Sequence, residues 1–170
     1  LWITGTCATV TQAVKRNVFA RGFKRNVRVA GDLAAQTERL IERSALEALA
    51  IAGKAGRVVG GFAKVEATIA RDDIEALIHA ADASPDGRRK LEAAWQRKTM
   101  EKHREIATIE LFSGSQLDLA LNRPNVVHAA LLAGPGATTF LARVARLQRF
   151  RTLNSPALAP TEGARGPITE

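Results

Sequence analysis

Residues 53–90 read GKAGRVVGGFAKVEATIARDDIEALIHAADASPDGRRK. Val58-Val59 is a short apolar run between Gly56-Arg57 and a Gly60-Gly61 break. Phe62, Val65 and Ile69 then recur at helical spacing, which predicts a helix from Phe62 to Arg71. Ile74 to Ala81 is nearly unbroken apolar sequence of strand length, the pattern of a strand covered on both faces. Ser84-Pro85 opens another helix, with a hydroxyl at the N-cap and proline at the first helical position. The alternation predicts an α/β fold.

Gly60 and Gly61 stand just before a helix whose first N–H groups have no intrahelical partner. Such an end attracts anions, and glycine lets a phosphate approach the backbone. Arg57 and Lys64 flank the break, which gives it a basic rim. The competing reading is a turn that needs glycine only for its dihedrals.

Upstream, Thr6 or Thr9 can cap a helix that runs to about Phe23, with Val10, Val14 and Val18 as its apolar stripe. Lys24 to Val29 reads as a short edge strand. Lys15, Arg16, Arg21, Lys24, Arg25 and Arg28 fall in residues 1–31, which contain no acidic residue. The other residues hold 19 basic and 17 acidic side chains, so most of the net charge of +8 is local. That is the footprint of a surface for a polyanion, most often nucleic acid. A membrane-bound basic helix and a merely solvated face are the other readings.

From Gly31 on, Asp32 caps a helix with Leu33, Leu40, Ile41, Leu46 and Leu49 on its apolar side, continuous to Ala52 or broken near Ser44. Downstream, a helix follows Pro85 to about Met100, and Ile106 to Phe112 alternates like a strand. Ser113-Gly114-Ser115 starts a short helix that Asn122-Arg123-Pro124 breaks. Val126 to Ala133 is again of strand length. After Gly134-Pro135-Gly136, Phe140, Leu141, Val144, Leu147 and Phe150 mark a last helix to about Leu153. The tail from Asn154 holds Pro156, Pro160 and Pro167 without periodicity and reads as disordered. The order predicts one sheet between helices, an α/β/α sandwich with a mixed sheet, preceded by a small basic α+β segment.

Hydrophobic residues make up 46% of the 170, enough for a core, and no apolar run approaches the ~20 residues of a membrane span. No signal peptide is evident. A single cysteine, Cys7, excludes an internal disulfide and fits a reducing, cytoplasmic compartment. Leu1 to Thr4 reads as a strand with no earlier partner, which suggests a piece of a longer protein. Neither GxxxxGK[ST] nor GxGxxG occurs, so no nucleotide cofactor is expected. His79 and His128 fall inside strands and His103 in a charged stretch, a spacing that does not suit zinc. Asp72-Asp73 suits a helix end better than a catalytic pair, and no nucleophile–base set appears, so no catalysis is expected. Trp2 and Trp95 can stack on bases or fill a core. Arg88-Arg89-Lys90 extends the basic surface or is an ordinary solvated face.

These pieces resemble a known family. Leu46 to Ala52, Lys54-Ala55-Gly56-Arg57-Val58-Val59-Gly60-Gly61, Lys64-Val65-Glu66-Ala67 and Ala81-Asp82-Ala83-Ser84 look like the bacterial YlxQ-like proteins. Those belong to the superfamily of ribosomal proteins that bind kink-turn RNA. Trp2-Ile3-Thr4 and Val18 to Arg25 look like the end of a YlxR-like domain. The resemblance implies three parts: residues 1–30 from a YlxR-like basic domain, residues 31–153 as a kink-turn-type domain, and a tail from 154 to 170. It implies RNA binding, near the ribosome or the transcription-termination machinery, with a ribosomal or transcription protein as a second kind of partner. Carried over, the RNA contacts are Gly60, Gly61 and Lys64, the Asp82–Ser84 turn, and Ala133-Gly134, grouped at one end of the sheet. The ribosomal relatives place an Asn-Glu pair and then a Lys on the first helix. This chain has Ala63, Lys64 and Ala67 there, so contact with the RNA backbone rather than the bases is expected.

Overall fold

A computed structural model describes residues 5–99 and 106–152. The strand expected at Leu1 to Thr4, Trp2, His103 and the tail from Asn154 lie outside the described residues. The chain divides into two compact units, Leu1–Gln36 with Gln148–Glu170, and Thr37–Leu147.

In the first unit α1 (Cys7–Lys15) starts at a capping box. The Thr6 hydroxyl accepts from the Thr9 backbone N–H, and the Thr9 side chain returns the bond to the Thr6 backbone. The single helix expected to Phe23 breaks instead, because Asn17 adopts a left-handed conformation (φ 51°). Asparagine tolerates that region better than most residues. A second helix, α2 (Val18–Phe23), follows and closes at Lys24, also left-handed. The edge strand expected from Lys24 to Val29 is not formed among the described residues. The chain there leaves a left-handed cap, and the sheet contains no strand that pairs with it.

The second unit carries one four-stranded sheet. Its strands are β1 (Val58–Gly60), β2 (Ile74–His79), β3 (Ala107–Ile109) and β4 (His128–Leu132), in the order β1-β4-β2-β3. β4 is antiparallel to both β1 and β2, whereas β2 and β3 are parallel, so the sheet is mixed. α3 (Leu33–Lys54) precedes β1, α4 (Phe62–Arg71), α5 (Pro85–Thr99) and α6 (Gly114–Leu121) connect successive strands, and α7 (Pro135–Thr152) follows β4. The expected α/β/α sandwich is the observed fold.

One face of the sheet meets α4 and α5. Val65 and Ile69 of α4, and Leu91 and Trp95 of α5, close over Ile74, Leu77 and Ala130. Trp95 is therefore core, 3% exposed, and is not available to stack on a base. The opposite face meets helices with small residues at the contacts. Ile41, Ala45, Ala48, Leu49 and Ala52 form the buried stripe of α3, at helical spacing. The leucine-rich side expected for α3 shifts accordingly, and Leu40 is 67% exposed. Alanine at these positions lets α7 approach, so that a Cβ on Gly136 would stand 3.4 Å from the Ala52 Cβ. α3 continues unbroken through Ser44, whose carbonyl accepts from the Arg143 guanidinium at 2.7 Å. No helix among the described residues is long and apolar enough to cross a membrane.

Candidate nucleic-acid interface

β1 ends in the glycine pair. Gly61 occupies the N-cap of α4 at φ 102°, a conformation that L side chains rarely adopt. Its N–H donates to the His128 carbonyl at 2.8 Å, which fixes the turn to the start of β4. No side chain caps α4, so its first N–H groups face outward.

The loop between α6 and β4 is held opposite. Asn122 and Asn125 both turn left-handed, at φ 50° and φ 58°. The Asp118 carboxylate accepts from the N–H groups of Asn125 (3.0 Å) and Val126 (2.7 Å). Charge-assisted bonds of this kind pre-order a loop. The result is a cleft of about 280 Å³ lined by Gly60, Gly61, Lys64, Arg123, Pro124, Asn125 and Val126. The Arg123 guanidinium lies 4.0 Å from where a Cβ on Gly60 would stand. A second hollow, of about 220 Å³, adjoins it through Gly60 and Arg123 and is lined also by Gly53, Gly56, Val58 and Leu121. Neither Lys64 nor Arg123 has an ion-pair partner among the described residues. Outward N–H groups and two unneutralised cations around a preformed cleft suit a phosphate.

The register decides which expected contacts share this end. Gly60 pairs with Ala129 and His79 with His128, so the ends of β1 and β2 meet the start of β4. The Asp82–Ser84 turn therefore lies at the cleft end, though outside the cleft lining. The Asp82 carboxylate accepts from the Gly114 N–H at 2.9 Å, at the start of α6, and Ser84 is exposed. Ala133 and Gly134 follow the other end of β4, where Val58 pairs with Leu131. Arg57 is there too, its carbonyl accepting from the Leu132 N–H at 2.8 Å. The grouping of Arg57, Ala133 and Gly134 with the glycine pair is thus corrected, because an antiparallel last strand puts its C-terminal turn at the far end.

Arg123 was read in the sequence only as part of the Asn122-Arg123-Pro124 helix break, and Asn125 was not singled out. The available signal was an Asn-Arg-Pro-Asn run immediately before the last strand. Turning that signal into a site requires the β1–β4 pairing, between residues about 70 apart in sequence.

Lys15, Arg16, Arg21, Lys24, Arg25 and Arg28 are all exposed. Arg21 also donates to the Arg16 carbonyl at 2.9 Å. The run Arg88-Arg89-Lys90 is ion-paired in place, with two carboxylates for three cations. Arg88 pairs with Glu110, and Lys90 (2.7 Å) and Arg89 (3.7 Å) pair with Asp86.

Behind the glycine turn lies a buried histidine pair, with Nδ1 of His79 and Nδ1 of His128 2.9 Å apart. The bond needs one nitrogen to donate and the other to accept, so the accepting ring is neutral when it forms. Burial pushes the His79 pKa down to about 4, helped by His128 and Arg88 and opposed by Glu110. Burial and then Arg88 also lower that of His128. Gly87 lets α5 close over the pair, since a Cβ there would come within 2.6 Å of the His128 Nε2. No group of three or more His, Cys, Asp or Glu among the described residues is placed to hold a metal.

No family model and no curated protein matches the chain. Solved structures share its fold, two of them as follows. A protein of unknown function from Bacillus halodurans superposes with a TM-score of 0.51 at 16% identity, over 59% of this chain and 96% of that one. The 15.5kD RNA-binding protein of Giardia lamblia superposes with a TM-score of 0.50 at 17% identity, over 64% of this chain and 88% of that one. At such identities the likeness is one of architecture.

Proposed function

We propose that the chain binds structured RNA without catalysing its reaction. The observation that carries the reading is the cleft of about 280 Å³ in which the uncapped start of α4 faces Lys64 and Arg123. It suits a phosphate at a bend in an RNA backbone. The exposed cations from Lys15 to Arg28 add contacts that depend on charge rather than on shape. The fold shared with an RNA-binding protein of Giardia lamblia supports the same reading. So does the resemblance to the kink-turn superfamily, which points to work beside the ribosome or the termination machinery in the cytoplasm.

The division of labour is physical. Side-chain cations that displace the RNA's condensed counterions give affinity that falls with salt, by close to one power of salt concentration per phosphate neutralised. A preformed cleft gives preference for a backbone shape. The test is binding to a kink-turn RNA and to a scrambled duplex of equal length across a salt series. Tighter binding to the kink-turn RNA that persists at high salt is the expected result. Equal affinities that fall together with salt would remove the cleft from the reading.

A second reading, docking on a ribosomal or transcription protein, has its own observation. An apolar trough of about 700 Å³ lies between α3 and α6, lined by Leu46, Ala50, Leu119 and Ala120 among others. Leu119 is 86% exposed beside it. Association with ribosomes that survives nuclease and is lost in Leu119→Asp would favour docking over RNA.

A further inference from the structure

The chain holds a second acid-free stretch. Between Asp118 and Glu162 there is no acidic residue, and Arg123, Arg143, Arg146, Arg149 and Arg151 fall within it. Arg123 belongs to the cleft. The other four lie on α7.

α7 separates these arginines by role. Phe140, Val144, Leu147 and Phe150 are its buried side. Arg143 is half-buried and donates to the Ser44 carbonyl, so it ties α7 to α3. Arg149 and Arg151 stand in the last turn, where cations suit the negative end of the helix dipole. Arg146 stands before the last turn, so the dipole does not explain it. Arg146 and Arg149 are exposed, three residues apart, and therefore on one face. Neither has an ion-pair partner among the described residues. Ala142 and Ala145 share the exposed side, so no bulky side chain screens the guanidinium groups. Of the acids of α3, Glu47 pairs with Arg43 and Glu42 accepts from Gln116.

An ordinary solvated helix face mixes charges of both signs and forms i, i+4 pairs, as α5 does with Asp86 and Lys90. α7 does neither. We infer that the exposed face of α7, through Arg146 and Arg149, is a second phosphate-binding surface that holds the RNA backbone independently of the cleft. The inference rests on the RNA-binding reading and extends it. Guanidinium groups match phosphate oxygens with two parallel N–H bonds, which favours arginine at such a surface. The contact is blind to sequence, and its signature is in the salt dependence.

The experiment compares the wild type, Arg146→Glu/Arg149→Glu and Lys64→Glu/Arg123→Glu on one kink-turn RNA and one scrambled duplex, by fluorescence anisotropy across a salt series. The α7 variant is expected to weaken both RNAs by the same factor. It lowers the slope of log affinity against log salt by about 1.5, the loss of roughly two phosphate contacts. The cleft variant is expected to reduce the preference for the kink-turn RNA. Thermal unfolding checks the fold, and Arg146→Gln/Arg149→Gln gives the same direction with a smaller step should the glutamates disturb the helix. An unchanged slope in both α7 variants, with a reduced one in the cleft variant, overturns the inference and leaves the RNA-binding reading standing. If the wild type binds neither RNA, both fall. If the α7 variants lose binding to phosphatidylserine vesicles while their RNA slope is unchanged, the face belongs to a membrane surface and the inference is wrong.

Discussion

The two ends of the sheet contain the same kinds of residue. At one end Gly60, Gly61 and Lys64 face Arg123 and Asn125 across a cleft. At the other, Arg57 stands beside Gly134, its Nε 3.9 Å from where a Cβ would be, and Gly134 also has a positive φ. Glycine, arginine and a turn before a helix occur at both. What differs is the support. At the cleft end the Asp118 carboxylate clasps the facing loop, and the Gly61 N–H is tied to the His128 carbonyl. At the far end the Arg57 carbonyl is spent on the strand ladder, and the Gly134 carbonyl accepts from the Ala137 and Thr138 N–H groups of the following helix. A binding site therefore depends on which strand ends the antiparallel register brings together, not on the local motif.

The largest expected effect comes from reversing charge at the cleft end. Lys64→Glu/Arg123→Glu is expected to cost about 100-fold in RNA affinity at low salt and to lower the salt slope by about 1.5. Unfolding stability should move by less than about 0.5 kcal/mol, since Lys64 and Arg123 are exposed. Denaturant titration and anisotropy together separate the two quantities.

Next is Asp118→Ala. It leaves the Asn125 and Val126 N–H groups without their charged acceptor and is expected to destabilise the chain by about 1–3 kcal/mol. The loop then loses its order, and RNA affinity falls by roughly tenfold, a loss of about 1.4 kcal/mol. Unchanged affinity in a destabilised Asp118→Ala chain would show that the clasp serves the fold alone.

Acid should act on the cleft end through the buried histidines. His79 has a folded-state pKa near 4, below its ordinary 6.5. The unfolded chain therefore takes up protons first, and stability is full above pH 6.5 and falls as pH drops from 6.5 towards 4. Hydrogen exchange at the Gly61 amide, bonded to the His128 carbonyl, should rise in that window more than at Leu132. Equal protection at both ends would disconnect the pair from the cleft.

The smallest effect belongs to the far end. Arg57→Glu is expected to change RNA affinity by less than about twofold in 0.15 M salt, because its contribution is long-range and screened. A loss comparable to that of Lys64→Glu would erase the distinction between the ends.

The sequence carried most of the fold. Apolar runs and glycine breaks placed β2, β4 and the helices, and Ser113 was legible as the cap of α6. It misplaced what depends on partners. The alternation from Lys24 to Val29 looked like a strand, but a strand needs a neighbour to take its hydrogen bonds. Leu40 looked buried by its chemistry, yet alanines carry the α3 contact because α7 comes close. In the candidate site, Gly60, Gly61 and Lys64 were legible as a local motif. Arg123 and Asn125 were not, since only strand pairing makes them neighbours of Gly60. Arg57 and Gly134 drew attention by type and fell at the wrong end.

Amide chemical-shift mapping tests the choice of end most directly. A kink-turn RNA is titrated into the ¹⁵N-labelled chain at 0.15 M salt. The largest shifts should fall on Gly60, Gly61, Lys64, Arg123 and Asn125, with Arg57, Ala133 and Gly134 unmoved. Shifts centred on Arg57, Ala133 and Gly134, with the glycine pair unmoved, would contradict it.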